Sequence, residues 1–157
     1  MEDQLIGVIA DTHGLLRPQA LRVLRDCSLI IHAGDIGNPG ILMSLEETAP
    51  VVAVRGNIDT AQWAKILPEH KRVTVDGAVL YVIHDLKRLA LDPAAEKISA
   101  VISGHSHKPA LHYREGVLLL NPGSAGPRRF NLPVCVARLD VKNGKIEPEI
   151  VELELEQ

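Results

Sequence analysis

Side chains that could bind a metal follow five apolar runs of the sequence, each where the run ends. They are two aspartates, one asparagine and four of the seven histidines: Asp11, His13, Asp35, Asn57, His84, His105 and His107. Divalent cations bind carboxylate, amide and imidazole groups. In open α/β sheets, ligand sites gather outside the carboxyl ends of the strands. The spacing therefore predicts a metal centre built from five strand ends.

Each of these motifs, taken alone, also has a structural explanation. Asp11-x-His13 after a strand is more often a turn with an aspartate cap. Asp35 and Asn57 each follow a glycine, which is typical of loop residues with unusual backbone angles, and a lone His84 is typical of a buried core. No structural requirement known to us produces the whole ordered set. The combination therefore favours metal binding.

Short strands and helices must position these side chains. The apolar, β-branched runs Leu5–Ala10, Leu29–Ala33 and Val51–Val54 predict buried strands. Pro18–Arg25 and Ile41–Glu47 predict short helices between them. Strand and helix in alternation imply a parallel sheet with right-handed crossovers.

The C-terminal half is predicted to be antiparallel, because Asp76-Gly77, Glu115-Gly116 and Asn143-Gly144 are turn dipeptides between strand-like runs. The three predicted hairpins are Arg72–Val75 with Ala78–Ile83, Leu111–Arg114 with Val117–Leu120, and Val134–Val141 with Lys145–Leu153. A helix is predicted over Leu86–Lys97, with a break near Pro93. We expect an α/β fold of two facing mixed β-sheets flanked by helices, in a single domain over residues 1–157.

Composition and charge limit the function classes. With 157 residues, 46% of them hydrophobic, the chain can bury the core of a globular domain. A net charge of −3 and 3% aromatic residues argue against general nucleic-acid binding and against binding to anionic membranes. The acidic N-terminus does not suit a signal peptide, and its apolar run is too short for a membrane span. Together with the isolated thiols Cys27 and Cys135, these features favour a cytoplasmic protein.

The ordered motifs resemble those of the calcineurin-like metallophosphoesterase family. They are Asp11-x-His13, Gly34-Asp35, Gly56-Asn57, His84 and Gly104-His105-x-His107. The segment Asn121-Pro122-Gly123-Ser124 with Pro127-Arg128, and the short chain, resemble the small single-domain YfcE-like phosphodiesterase branch of that family. The resemblance covers nearly the whole chain and implies the family's two-sheet sandwich fold.

The resemblance also implies a site for two divalent cations. One cation would be bound by Asp11, His13 and His107, and the other by Asn57, His84 and His105, with Asp35 bridging both. Asp35, Asn57 and His105 are the expected catalytic residues. One carboxylate can span two cations about 3.5–4 Å apart, the spacing of two-metal phosphoester sites. Oxygen ligands suit Mn²⁺ and imidazoles suit Fe, Zn or Ni, so the mixed set does not select one metal. We expect Mn²⁺ and keep Fe, Zn and Ni as alternatives.

The implied activity is hydrolysis of a small phosphodiester substrate by a hydroxide that bridges the two metals. The alternative is a non-catalytic, protein-binding scaffold of the same fold, like a retromer subunit of eukaryotic membrane traffic. The complete set of histidines argues against that scaffold role. A closed structural metal site is disfavoured, because shared ligands leave room for water. The physiological substrate and the oligomeric state stay open, with a homo-oligomer as one alternative.

Two residues depart from the family pattern. Ile58 stands where many larger members have a histidine that serves as general acid or transition-state stabiliser, so the proton donor is unassigned. Asp85 follows His84 where the family usually has glycine. We interpret Asp85 as an exposed loop carboxylate, with orientation of the His84 ring as the alternative.

Other polar residues have weaker indications. Arg55 is expected either to reach a substrate phosphate or to bind Asp59. His32, inside a buried strand, is expected to have a core or supporting role. Arg128 and Arg129 are expected at the surface, with a phosphate contact as the alternative. His70 and His112 are expected to be ordinary surface or hairpin residues.

Overall fold

The computed structural model describes residues 4–155, which form ten strands and two α-helices. The strands are β1 (Gln4–Ile9), β2 (Leu29–His32), β3 (Val51–Ala53), β4 (His70–Val75), β5 (Ala78–Ile83), β6 (Ala100–Ile102), β7 (Ala110–Arg114), β8 (Val117–Asn121), β9 (Cys135–Lys142) and β10 (Lys145–Glu152). The helices are α1 (Pro18–Leu24) and α2 (Pro39–Glu46), and there are short 3₁₀ turns at Gln62–Ala64 and Leu86–Arg88.

The strands form two five-stranded mixed sheets. Sheet A has the order β10-β9-β1-β2-β3, in which β1, β2 and β3 are parallel and β9 and β10 are antiparallel additions. Sheet B has the order β4-β5-β6-β8-β7, with a parallel centre of β5, β6 and β8 and an antiparallel strand at each edge. The predicted fold class is confirmed. The sequence patterns did not indicate the parallel centre of sheet B.

The main core lies between the two sheets. Alternate residues of each strand face it, as the period of two requires. Ile6 and Val8 of β1 and Leu80 and Val82 of β5 are fully buried there. The other face of sheet A packs against α1 and α2. Both faces of the parallel strands are therefore apolar, and polar side chains are displaced to the strand ends.

All three predicted hairpins are present. Asp76, Glu115 and Asn143 adopt φ of 41°, 52° and 49°, and each precedes a glycine that also has positive φ. Two such residues in succession suit the turns that connect twisted antiparallel strands. Two of the turns also contact each other, because the Gly144 N–H donates to the Asp76 carbonyl at 2.7 Å. This contact joins the sheets at the end opposite the predicted ligands.

The helix predicted over Leu86–Lys97 is wrong. The chain forms the 3₁₀ turn Leu86–Arg88 and a separate turn over 93–97. Pro93 has no N–H to donate and disfavours the α conformation at the residue before it. Leu89 and Leu91 still pack against the outer face of sheet B without helical geometry. The two α-helices consequently flank sheet A alone.

No helix within residues 4–155 is long and apolar enough to cross a lipid bilayer. The single domain over residues 1–157 stays a prediction, and its first three and last two residues lie outside the described part of the chain. Cys27 and Cys135 are both buried free thiols.

Candidate metal centre

The carboxyl ends of five parallel strands lie together at one edge of the two sheets. Hydrogen bonds between the loops that follow these strands fix their relative positions. The Asp11 N–H donates to the Gly34 carbonyl at 3.0 Å, and the Gly104 N–H donates to the His84 carbonyl at 2.9 Å. The His105 N–H donates to Asp11 Oδ2 at 3.0 Å, which joins the loops of sheet A to those of sheet B.

This edge brings all seven predicted ligands together. Six of them form two groups in which the candidate ligand atoms lie within 4.8 Å of one another. The first group is Asp11, His13 and His107, and the second group is Asp35, His84 and His105. Asn57 lies beside the second group, with its Oδ1 at 3.1 Å from His84 Nε2 and 3.2 Å from His105 Nδ1.

The Asp35 carboxylate lies between the two groups. Its Oδ2 is 3.5 Å from His13 Nε2 in the first group and 3.3 Å from His84 Nε2 in the second. Its Oδ1 accepts a hydrogen bond from the Ile58 N–H at 3.1 Å, which holds the side chain in this orientation. The Asp35 carboxylate therefore faces nitrogen ligands of both groups, at shorter distances than Asp11, whose Oδ1 lies 3.9 Å from both His13 Nε2 and His84 Nε2.

The donor set of the second group fits a bound cation. His84 Nδ1 donates to the Ala33 carbonyl at 2.8 Å, since a carbonyl can only accept. In the neutral ring Nε2 is then unprotonated, yet it faces the oxygens Asn57 Oδ1 and Asp35 Oδ2. A lone pair among oxygen acceptors needs a cation or an additional proton between them. The geometry is thus that of a metal-ligating imidazole with its other nitrogen fixed by a carbonyl.

The first group carries unpaired buried nitrogens. His13 Nε2 and His107 Nδ1 are buried and have no hydrogen-bond partner among the described residues. Burial, together with the charge of Arg129, lowers the pKa of His13 and lowers the pKa of His107 to about 4. Both rings are therefore neutral near pH 7, which is the form that binds metals.

The two aspartates have opposite electrostatic behaviour. Burial, with the like charge of Asp35 nearby, raises the pKa of Asp11 to about 7 against the opposing effect of His84. Burial would also raise the pKa of Asp35. The hydrogen bonds of Asp35 with His84 and with the Ile58 N–H outweigh the effect of burial, so the pKa of Asp35 is lowered. Burial would lower the pKa of His84, and its contacts with Asp35 and Ala33 raise it instead. A bound cation would favour the ionised form of both carboxylates.

Five of the predicted ligands have left-handed backbone conformations. The φ angles are 55° at Asp11, 47° at His13, 57° at Asp35, 74° at His105 and 64° at His107. Such conformations cost on the order of 1–3 kcal/mol for a residue other than glycine, and they concentrate at functional sites. The fold therefore holds these loops in strained geometry that directs the side chains toward one another.

The glycines before the predicted ligands are required by close approach. A Cβ at Gly56 would lie 2.2 Å from Asp35 Oδ1, and a Cβ at Gly34, which has φ of 103°, would lie 2.7 Å from His84 Nδ1. Any larger residue at either position would displace a predicted ligand. The Gly-Asp and Gly-Asn pairs in the sequence thus have a steric explanation.

Asp59 is a supporting residue that the sequence analysis missed. This buried carboxylate accepts hydrogen bonds from the backbone N–H groups of Ile36, Gly37 and Gly56, at 3.1, 3.1 and 2.8 Å. It thereby joins the loop after β2 to the loop after β3. The expected alternative pairing of Asp59 with Arg55 is wrong, because Arg55 pairs with Glu69 at 3.3 Å. The only local signal was the Gly-Asn-x-Asp spacing.

His32 has the supporting role expected of it. The Gly34 N–H donates to its Nδ1 at 3.1 Å, so the proton is on Nε2, which donates to Thr12 Oγ1 at 3.0 Å. Thr12 in turn donates to the Ile36 carbonyl at 2.8 Å. Burial lowers the pKa of His32 to about 3, so the ring stays neutral and connects the loops after β1 and β2.

The Asn-Pro-Gly-Ser segment holds the loops from the other side. Asn121 Nδ2 donates to the Gly104 carbonyl at 2.9 Å and to Ser106 Oγ at 3.1 Å. Ser124 Oγ donates to the Asp11 carbonyl at 3.1 Å. The segment therefore positions the backbone beside predicted ligands and leaves its own side chains outside both groups.

The remaining candidates are at the rim. Asp85 does not orient the His84 ring: its Oδ1 accepts from the Lys87 N–H at 3.0 Å, and its Oδ2 is 3.9 Å from His105 Nε2. Arg128 Nε donates to the Leu132 carbonyl at 3.2 Å on the surface. The charge of Arg129 lowers the pKa of Asp11 as well as those of the two histidines of the first group.

His70 and His112, the two histidines outside the metal centre, are both exposed but have different surroundings. His112 is exposed on β7, as expected. His70 is exposed at the start of β4 but stacks on Tyr81, with ring centroids 5.6 Å apart. It also lines a cleft that opens beside Asn57 and His84.

Comparison with known proteins agrees with this geometry. Residues 5–144 match the family model described as the calcineurin-like phosphoesterase superfamily domain. A probable metallophosphoesterase of Methanothermobacter thermautotrophicus is 37% identical over 163 residues, which cover 94% of this chain and 91% of that protein. The phosphodiesterase YfcE of Escherichia coli is 28% identical over 162 residues, covering 83% and 84%. The solved structure of vacuolar protein sorting 29 from Cryptosporidium parvum has the same fold, with a TM-score of 0.76, 18% identity and coverage of 98% and 99%.

Proposed function

Because the chain belongs to the calcineurin-like phosphoesterase superfamily and is a metallophosphoesterase, we propose that it hydrolyses phosphodiesters with two divalent cations. The observation that carries this proposal is the position of the Asp35 carboxylate between two groups of candidate ligands, with its Oδ2 close to an imidazole nitrogen of each group. A site for one cation would need neither two groups nor a carboxylate shared between them.

The residues present fit two cations. Asp11, His13 and His107 would hold one, Asn57, His84 and His105 would hold the other, and Asp35 would contact both. When bound, the two cations would lower the pKa of a metal-bound water and would stabilise the negative charge on the phosphoryl oxygens. The mixed oxygen and nitrogen donors do not select one metal; Mn²⁺ is the proposed cation, with Fe, Zn or Ni as alternatives.

The chain itself supplies orientation. The Ile58 N–H fixes Asp35, the Ala33 carbonyl fixes His84, and Asp59 fixes the backbone between them. Ligands that are held in place before the reaction need no reorganisation as charge develops on the phosphoryl group. The exposed Arg129 adds positive charge near the first group, which favours an anionic substrate.

One feature supports a diester rather than a monoester as substrate, and another limits the leaving group. A cleft of about 430 Å³ opens beside Asn57, His84 and His105, which gives room for a second ester arm. Ile58, 41% exposed at the rim, offers no proton for a poor leaving group. Diesters with leaving groups of low pKa therefore suit the site best. The name of the YfcE relative agrees with this preference.

A scaffold function is the alternative, and the fold shared with vacuolar protein sorting 29 is the observation in its favour. It predicts no hydrolysis of any phosphate ester. The strained backbone at five predicted ligands argues against it, because a surface that only binds proteins has no need of that strain.

Metal analysis with an activity panel tests the proposal. We expect the Mn²⁺-loaded protein to bind two equivalents and to cleave bis(p-nitrophenyl) phosphate faster than p-nitrophenyl phosphate. Asp35→Asn should lose most activity and bind both metals more weakly, whereas the matched control Asp26→Asn, at an exposed position, should behave like the wild type. Full metal content and turnover in Asp35→Asn would contradict the bridging role, and no hydrolysis of any ester would contradict the enzyme assignment.

A further inference from the structure

The cleft beside the second group is walled by charged residues. Its volume is about 430 Å³, within the usual range of small-molecule sites. Its lining includes the charged residues Arg55, Glu69, Asp85 and Arg88, and three proposed ligands, Asn57, His84 and His105. Every protein group proposed to bind the second cation, except Asp35, therefore also faces this cleft.

The charge of Arg55 is already balanced. Its guanidinium pairs with Glu69 at 3.3 Å, and its backbone N–H donates to the Pro68 carbonyl at 2.9 Å. The two side chains neutralise each other along this wall. Arg55 and Glu69 therefore shape the cleft and contribute little net charge to it.

Arg88 is not balanced in this way. Its side chain is exposed and forms no ion pair or hydrogen bond with any residue from 4 to 155. Its backbone is fixed, because its N–H donates to the Asp85 carbonyl at 3.0 Å and Asp85 Oδ1 caps the same turn through the Lys87 N–H. The backbone of Arg88 is thus fixed four residues from His84, and its side chain lines the cleft.

Asp85 also lines the cleft, but it forms no ion pair with Arg88. Asp85 Oδ2 lies 3.9 Å from His105 Nε2, and Oδ1 is occupied by the backbone of the turn. With Glu69 paired to Arg55, Arg88 is the guanidinium of this cleft that has no ion pair among residues 4–155. A cation held next to a proposed phosphoryl site suits a second anionic group of the substrate.

We propose that this cleft binds one ester arm of the substrate through a second anionic group, a phosphate or a carboxylate, with Arg88 as its contact. The substrate class is then a phosphodiester in which one alcohol carries a further negative charge. This inference rests on the proposed function, because it deals with the ester arm of the same phosphodiester.

Two chromogenic esters test the proposed contact between Arg88 and a second anionic group of the substrate. They are the p-nitrophenyl ester of thymidine 5′-phosphate and the same compound with an additional 3′-phosphate. The wild type should show kcat/KM about tenfold higher or more for the second ester, as expected for a charge-assisted contact. Arg88→Ala should remove this preference by raising KM for that ester alone, and Arg88→Lys should keep part of it. Arg22→Ala, at an exposed position on α1, is the matched control and should keep the full preference.

Equal kcat/KM for the two esters in the wild type, or a preference that survives Arg88→Ala, would overturn the inference. A second readout does not depend on catalysis: binding of thymidine 3′,5′-bisphosphate, measured by calorimetry. Binding to Arg88→Ala about tenfold weaker than to the wild type supports the cleft contact, and equal binding overturns it. If the wild type cleaves neither ester, the proposed function fails, and the calorimetric comparison still decides the role of the cleft.

Discussion

Replacing Asp11 by asparagine is expected to stabilise the metal-free protein at neutral and alkaline pH, although it removes a proposed metal ligand. Asp11 is fully buried, and burial with the nearby charge of Asp35 raises its pKa from 3.8 to about 7. The ionised carboxylate therefore costs folding free energy whenever no cation is bound. An amide of the same shape carries no charge and can still accept the His105 N–H hydrogen bond.

The size of the effect follows from the two pKa values. They differ by about 3, and each pKa unit corresponds to about 1.4 kcal/mol, so the upper limit is about 4 kcal/mol. The folded-state pKa is the higher one. The stabilisation from protonated Asp11 is thus fully present below pH 3.8 and is lost as the pH rises towards 7. The free-energy advantage of Asp11→Asn should grow over that range and level off above it, at about 2–4 kcal/mol.

Urea unfolding of chelator-treated protein, followed at pH 5, 6, 7 and 8, measures this advantage. Titrating groups away from Asp11 are the same in both proteins and cancel in the difference, whereas His84 loses a charge that helps to raise its pKa. Asp26→Asn, a substitution at an exposed site, should show no such pH dependence. Added Mn²⁺ should reverse the order, because the wild type gains a cation that the variant binds poorly. An advantage that is constant or shrinking between pH 5 and 8 would refute the reasoning.

Two further predictions concern residues around the site. Asp59→Ala should destabilise the fold by about 2–4 kcal/mol, since it leaves the N–H groups of Ile36, Gly37 and Gly56 without their acceptor. It should also weaken metal binding. Urea unfolding measures the first effect and a metal titration the second. Ile58→His should raise kcat/KM for alkyl phosphodiesters more than for aryl ones, because general acid catalysis is worth about 10²–10⁴-fold and matters most for poor leaving groups. The dependence of turnover on leaving-group pKa, measured for the wild type and the variant, tests this prediction.

One result would contradict each of these two predictions. Wild-type stability in Asp59→Ala would mean that water or another group satisfies the three N–H donors. A flat dependence on leaving-group pKa in the wild type would mean that another group already protonates the leaving oxygen, so that Ile58 does not limit the substrate range.

The sequence predicted best what is encoded locally. The hairpin turns at Asp76, Glu115 and Asn143 depend on two adjacent residues with positive φ, and each pair is visible as a dipeptide. The strand ends that carry the proposed ligands were visible because a buried strand is apolar throughout and a polar residue marks its end. These features require no knowledge of distant contacts.

What the sequence did not reveal depends on contacts between distant segments. Two of the three backbone groups that donate to Asp59, those of Ile36 and Gly37, are more than twenty residues away, and no local pattern reports them. The apolar spacing after Leu86 looked helical, but Pro93 prevents a helix, and the leucines there pack on sheet B through an irregular segment. The pairing of β5, β6 and β8 in parallel also depends on strand order, which periodicity does not report.

Anomalous scattering from crystals of the metal-loaded protein tests the central claim most directly. We expect two peaks about 3.5–4 Å apart, with the Asp35 carboxylate in contact with both. His107→Ala should weaken the peak of the first group, and His84→Ala the peak of the second. A single peak, or loss of the same peak in both variants, would contradict the two-metal site.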